Sequence, residues 1–170
     1  LKLQKMLSYK SGLVECLNNC GIETVSPFAF SKNTTYGLGG FAAAGYFPKT
    51  VYQAKSVYDN LISCGASFNI LGNGSNVLVA DSGIEGSVIS TKKLRGIFRL
   101  NKTDLLCLAG TQIGELLTYC KKNRLSGLEY LYGIPATVGG AAFMNAGVCG
   151  LGIGENIKSV CVYNGKKHIL

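Results

Sequence analysis

Leu71-Gly72-Asn73-Gly74-Ser75-Asn76-Val77-Leu78 is the stretch on which the reading of this chain turns. Ile70 and Leu71 lead into it, and Val77, Leu78 and Val79 lead out, so two apolar runs are interrupted by small and polar residues. Glycine reaches positive φ and lets another group come close to the backbone, so such a loop can turn its N–H groups inward. Inward N–H groups suit a diphosphate, with Ser75 and Asn73 or Asn76 as added side-chain donors. An ordinary tight turn between two buried strands would use the same residues. The octapeptide alone leaves both readings open.

Length and charge narrow the field. A chain of 170 residues makes one ordinary domain or two small ones. Its hydrophobic content of 47% indicates a core-rich globular protein. No apolar run reaches the roughly 18 residues needed to cross a bilayer. Leu1–Lys10 has lysines but no apolar stretch behind them and no small-residue cleavage site, so no secretory signal is read there. The expectation is a cytoplasmic chain without a membrane partner. Seventeen Lys and Arg against nine acids leave a net charge of +8, which favours an anionic partner. The basic clusters (Lys92, Lys93, Arg95 and Arg99; Lys121, Lys122 and Arg124; Lys166 and Lys167) read as solvated faces. With no helix-turn-helix, RRM or KH signature, a nucleic-acid partner is not expected. Seven cysteines include no C-x-x-C pair, and His168 is the single histidine. Free thiols in a reducing compartment are expected, and no metal site.

Along the chain, Lys2–Asn19 reads as two short helical pieces broken at Ser11-Gly12, and Pro27 to Gly40 as an extended, turn-rich segment. Phe41–Phe47 is an expected strand. Val51, Ala54, Val57, Tyr58, Leu61 and Ile62 then recur at helical spacing between Pro48 and Gly65. Phe68–Leu71 is a second strand, so the glycine loop follows a βαβ unit, where ligands gather at strand carboxyl ends. No G-x-G-x-x-G opens the helix, so this is not a Rossmann fingerprint. Beyond the loop, Gly86–Ser90, Gly96–Leu100 and Asp104–Ala109 read as a meander, and Thr111 as the N-cap of a helix bearing Ile113, Leu116, Leu117 and Cys120. The change of pattern near Ile84 marks a boundary between subdomains 1–84 and 85–170.

Gly127 to Gly147 is the second informative stretch. Gly139-Gly140-Ala141-Ala142 removes side-chain bulk over four positions, so backbone can lie against something broad and planar such as a flavin. Close helix packing on small residues would read the same way.

Asn33-Thr34 with Gly39-Gly40, the Leu71–Asn76 loop, Gly127-Leu128-Glu129 through Gly133-Ile134-Pro135 and Thr137-Val138-Gly139-Gly140, and Met144-Asn145-Ala146-Gly147 occur in that order. Together they resemble the UDP-N-acetylenolpyruvoylglucosamine reductase family over roughly residues 25–165. The resemblance implies an α+β, two-subdomain FAD-binding fold of the vanillyl-alcohol-oxidase/p-cresol-methylhydroxylase type, with FAD held non-covalently. Matched position by position, Gly72, Asn73, Gly74, Ser75 and Asn76 would cradle the diphosphate, with Leu71 and Val77 counted among the cofactor-binding positions on either side. Pro135, Thr137, Gly139, Gly140, Asn145 and Gly147 would line the flavin side. The family's reaction moves a hydride from NADPH through flavin to an enolpyruvyl double bond, which an acid then protonates. The anionic UDP-sugar substrate would account for the surplus positive charge, and a monomer is expected.

Three departures accompany the resemblance. Ala136 stands where the family has glycine, and Val148-Cys149 where it has Ala-Tyr. The family's Tyr-Arg segment, serine acid and glutamate lie past Leu170, so no catalytic residue is assigned within these 170 residues and the chain alone is expected to be inactive. His168 reads as a strand edge. Two other classes remain in view: a related FAD-dependent sugar or alcohol oxidase, and a basic module that binds nucleic acid without catalysis.

Overall fold

The computed structural model describes Leu17 and residues 21–169. Apart from Leu17, the helical pieces expected over Lys2–Asn19 lie outside the described residues. The first half carries β1 (Glu23–Val25), β2 (Phe28–Ala29), β3 (Phe41–Ala42), β4 (Ala44–Phe47), α1 (Val51–Ser63), β5 (Phe68–Leu71) and β6 (Ser87–Ser90). The second carries β7 (Ile97–Arg99), β8 (Leu105–Cys107), α2 (Ile113–Lys122), α3 (Val138–Met144), β9 (Gly147–Val148), β10 (Leu151–Gly152), β11 (Cys161–Tyr163) and β12 (Lys167–Ile169).

A strand buried along its whole length has to be covered on both faces, and two such strands, β4 and β6, form the centre of the principal sheet. The order is β1-β4-β6-β5, antiparallel at β1 and parallel across β4, β6 and β5. Successive side chains of a strand point to opposite faces. Tyr46 and Ile89 meet Val57 and Leu61 of α1 on one face, while Phe47 and Val88 meet Phe28, Phe30 and Leu71 on the other. Burying α1's Val57 and Leu61 contributes about 1.5–3 kcal/mol each, and both are fully buried. The helix starts where expected: Thr50 caps it by accepting a hydrogen bond from the Gln53 N–H at 3.1 Å. It ends at Gly65, whose φ of +60° an L side chain would resist.

Three local expectations are corrected. Phe41–Phe47 is two strands, because the chain changes partner at Ala43, whose N–H donates to Gly86 O at 2.8 Å. Gly86–Ser90 does not open the meander. As β6 it lies between β4 and β5, and only β7 and β8 pair as a hairpin beyond it. A boundary at Ile84 would cut β6 from the sheet that it completes. The crossover through α1 leaves a gap between two parallel strands, and the wholly buried Ser87-Val88-Ile89-Ser90 fills it. Thr111, finally, is not the cap of α2. It is buried and tied both ways to Gly96, donating to the carbonyl at 3.0 Å and accepting from the N–H at 3.1 Å. Gln112 takes the N-cap position, and its N–H donates to Glu115 Oε2.

The second half has its own apolar cluster of Ile113, Leu131, Ala136, Ala141 and Ile153. Ala136, read in the sequence as a departure from the resembled family, places its methyl in this cluster and is not in the positive-φ region. The β11–β12 hairpin, which pairs His168 with Val162, is tied back to α1 by the Tyr163 hydroxyl, which donates to Asp59 Oδ1 at 2.7 Å.

Gly45 tests the packing of the sheet. Its φ tolerates any residue, but a Cβ there would run into the ring of Phe28. Gly45→Ala is therefore expected to lower stability by about 1–3 kcal/mol in a denaturant melt. Wild-type stability would mean that Phe28 moves aside freely.

Candidate functional site

The polar loop after β5 owes its shape to Gly74. At φ +69° this residue is in the left-handed region, and a Cβ would lie 2.9 Å from Thr34 Cα and 3.0 Å from Asn33 O. The Thr35 N–H donates to Gly74 O at 3.1 Å. Asn33 and Thr34 are themselves anchored, through Asn33 Nδ2 on Ala29 O and Thr34 Oγ1 on Phe30 O. The loop is thus seated on the Asn33-Thr34 corner, two stretches that are far apart in sequence. The N–H groups of Asn73, Gly74, Ser75 and Asn76 donate to no acceptor among the described residues. Consecutive free N–H groups around a left-handed residue make a concavity for an anion.

The segment Pro135–Gly140 closes on this loop. Asn73 Nδ2 donates to Pro135 O at 2.7 Å. A Cβ on Gly72 would fall 2.6 Å from Thr137 Oγ1 and 3.7 Å from Gly140 Cα, so backbone meets backbone here. Thr137 is fully buried and caps α3 by accepting from the Gly140 N–H at 3.3 Å. The Val138 and Gly139 N–H groups donate to Thr111 O and Ala109 O. These early N–H groups of α3 are taken inside the protein.

The expected flavin-side residues therefore separate. Pro135, Thr137 and Gly140 face the glycine loop. Gly139 is glycine because Ala109 approaches it, with Cβ at 2.7 Å from the place of a side chain. Gly147 is glycine because the β9–β10 hairpin brings Leu151 O against it. Asn145 adopts φ +45° at the end of α3, and its Oδ1 accepts from the Gly154 N–H at 2.9 Å. Those three residues are held against neighbouring protein. Leu71 is buried at the end of β5, and Val77 packs under the loop against the Phe28 cluster. Cys149 is exposed at the tip of the β9–β10 hairpin with φ +56°.

Lys92 belongs by sequence to a cluster that reads as a solvated face, but the structure half-buries it and points its Nζ to Asn33 O at 2.8 Å. Burial, then the nearby charge of Arg95, pushes its pKa below the ordinary lysine value. The alternation of charged residues around it carried no signal of this. Elsewhere burial pushes the Cys107 thiol up to about 11, so it is held protonated and unreactive. No helix among the described residues is long and apolar enough to cross a membrane.

Comparison with known proteins agrees with this geometry. The FAD binding domain family matches residues 42–166. The chain is 42% identical over 138 residues to the UDP-N-acetylenolpyruvoylglucosamine reductase of Thermosipho melanesiensis, covering 79% of this chain and 44% of that protein. It is 39% identical over 142 residues to the reductase of Moorella thermoacetica, covering 82% and 47%. The crystal structure of the Thermus caldophilus reductase superposes with a TM-score of 0.69 at 32% identity, covering 88% of this chain and 52% of that one. The chain thus spans about half the length of these relatives. The chain belongs to the FAD binding domain family, matching the N-terminal FAD-binding portion of the UDP-N-acetylenolpyruvoylglucosamine reductases.

Proposed function

We propose that this chain is the FAD-binding part of an NADPH-dependent reductase that converts UDP-N-acetylenolpyruvoylglucosamine to UDP-N-acetylmuramate for peptidoglycan synthesis. The observation that carries the reading is the row of free N–H groups at Asn73–Asn76, held against Pro135–Gly140 by the Asn73–Pro135 hydrogen bond. The residues present fit the cofactor. The loop donors would hold the diphosphate, and Gly140, whose missing side chain would meet only Thr137 Oγ1, would let a planar ring approach its backbone. Bound FAD would supply hydride transfer from the reduced nicotinamide to the enolpyruvyl double bond. Thr137 fixes the start of α3, and with it the position of Gly140. A monomer in the cytoplasm, acting on a UDP-sugar without nucleic acid or membrane partner, completes the reading.

FAD titration of the purified chain is the direct test, with flavin fluorescence and melting temperature as readouts; no change in either at micromolar FAD would remove the proposal. Asn73→Asp is expected to weaken FAD at least about tenfold, since it loses the bond to Pro135 O and sets a carboxylate beside the diphosphate.

Gly139 and Gly140 should part company when enlarged. Gly140→Val, with only Thr137 Oγ1 near at 3.2 Å, is expected to abolish FAD retention while leaving the apo melting curve largely in place. Gly139→Val, driven into Ala109, is expected to cost the apo protein about 1–3 kcal/mol. Equal losses of apo stability in both variants would favour plain packing at both positions. The 170-residue chain alone is expected to consume no NADPH with the enolpyruvyl substrate; turnover would place the proton donor within these residues.

A further inference from the structure

Two parallel strands end flush at the glycine loop. Leu71, the last residue of β5, pairs with Ser90, the last residue of β6. The chain leaving β5 is the Gly72–Asn76 loop, and the chain leaving β6 is the 3-10 turn Thr91–Lys93. Neighbouring strands lie about 4.8 Å apart, so the two departing segments run side by side. A second contact confirms it. Lys92 Nζ sits 2.8 Å from Asn33 O, the same oxygen that approaches the place of a Gly74 Cβ at 3.0 Å. The ammonium and the glycine loop are separated by one carbonyl.

The three cations of this turn differ in their partners. Lys93 Nζ is paired with Glu23 at 2.5 Å, and Arg95 with Glu115 at 2.7 Å. Lys92 has no carboxylate partner among the described residues, although it is the one half-buried. An ammonium drawn out of water onto a neutral carbonyl is poorly compensated. Arg95 makes the position less favourable still, because its Nε donates to the carbonyl of Lys92 itself at 2.6 Å. A nearby anion would compensate it. The free N–H groups of Asn73–Asn76 offer a seat for such an anion, and a lysine stem can swing its charge by a few ångströms.

We propose that Lys92 is a diphosphate-binding residue, its ammonium held on Asn33 O as the counter-charge for a dinucleotide diphosphate seated on the N–H groups of Asn73–Asn76. This rests on the FAD reading above. Nothing in the glycine-loop motif required it, since Lys92 stands outside both glycine stretches.

The test is a set of FAD and riboflavin titrations of the full chain, carried out on wild type, Lys92→Gln and Lys92→Arg. Glutamine removes the charge and, one bond shorter, still directs a neutral N–H donor toward Asn33 O. Lys92→Gln is expected to lose at least about tenfold in FAD affinity, with a weaker dependence on salt and an unchanged apo melting temperature. Riboflavin, which has no phosphate, should bind both proteins alike, and Lys92→Arg should retain FAD. Wild-type FAD affinity in Lys92→Gln would overturn the inference while leaving the FAD reading intact. A matching loss of riboflavin affinity, or of apo stability, would assign Lys92 to the scaffold and equally overturn it. Failure of the wild type to bind FAD would instead remove the underlying reading.

Discussion

At Gly72 there is no space for a side chain, because the hydroxyl of Thr137 occupies it. That close approach joins the sheet half of the molecule to the α3 half, and the candidate site is the seam between them. Asn73 fastens the seam with its hydrogen bond to Pro135 O. Gly74 supports it from below on the Asn33-Thr34 corner. A bulkier residue at either glycine would separate backbone segments whose contact positions every donor of the loop.

The sheet determines where the seam lies. With β6 between β4 and β5, the parallel strands send their carboxyl ends to one edge, where ligands of such sheets collect. The Leu71–Ser90 register brings the glycine loop and the Thr91–Lys93 turn out together. The apolar faces hold this arrangement from both sides, α1 packing on Tyr46 and Ile89 and the phenylalanines on Val88. Rigidity at the site is thus inherited from two cores, and the loop itself needs few internal bonds.

Small residues in the second half serve two purposes that composition cannot separate. Gly139 and Gly147 accommodate neighbouring protein, at Ala109 and Leu151, while Gly140 faces the loop. Ala136 shows the converse: its methyl is taken up by the Ile113–Leu131 cluster. Small residues a few positions apart thus have different physical reasons behind them.

Periodicity and punctuation in the sequence determined the local elements. The apolar spacing from Val51 to Ile62, with Thr50 before it and Gly65 after, specified α1, because capping and helical periodicity act over a few residues. The glycine loop and the Pro135–Gly140 segment were legible as backbone-exposing stretches for the same reason, and their serial order identified the family. The partners of those stretches were decided only by tertiary structure. Ser87-Val88-Ile89-Ser90 has the same local preference as an edge or a central strand, and its place in the sheet depends on the gap left by α1. Thr111 looked like a cap until Gly96 claimed its hydroxyl. Lys92 looked like a solvent cation because burial is set by what packs around a residue, and Asn33, 59 positions away, supplies the oxygen that receives it.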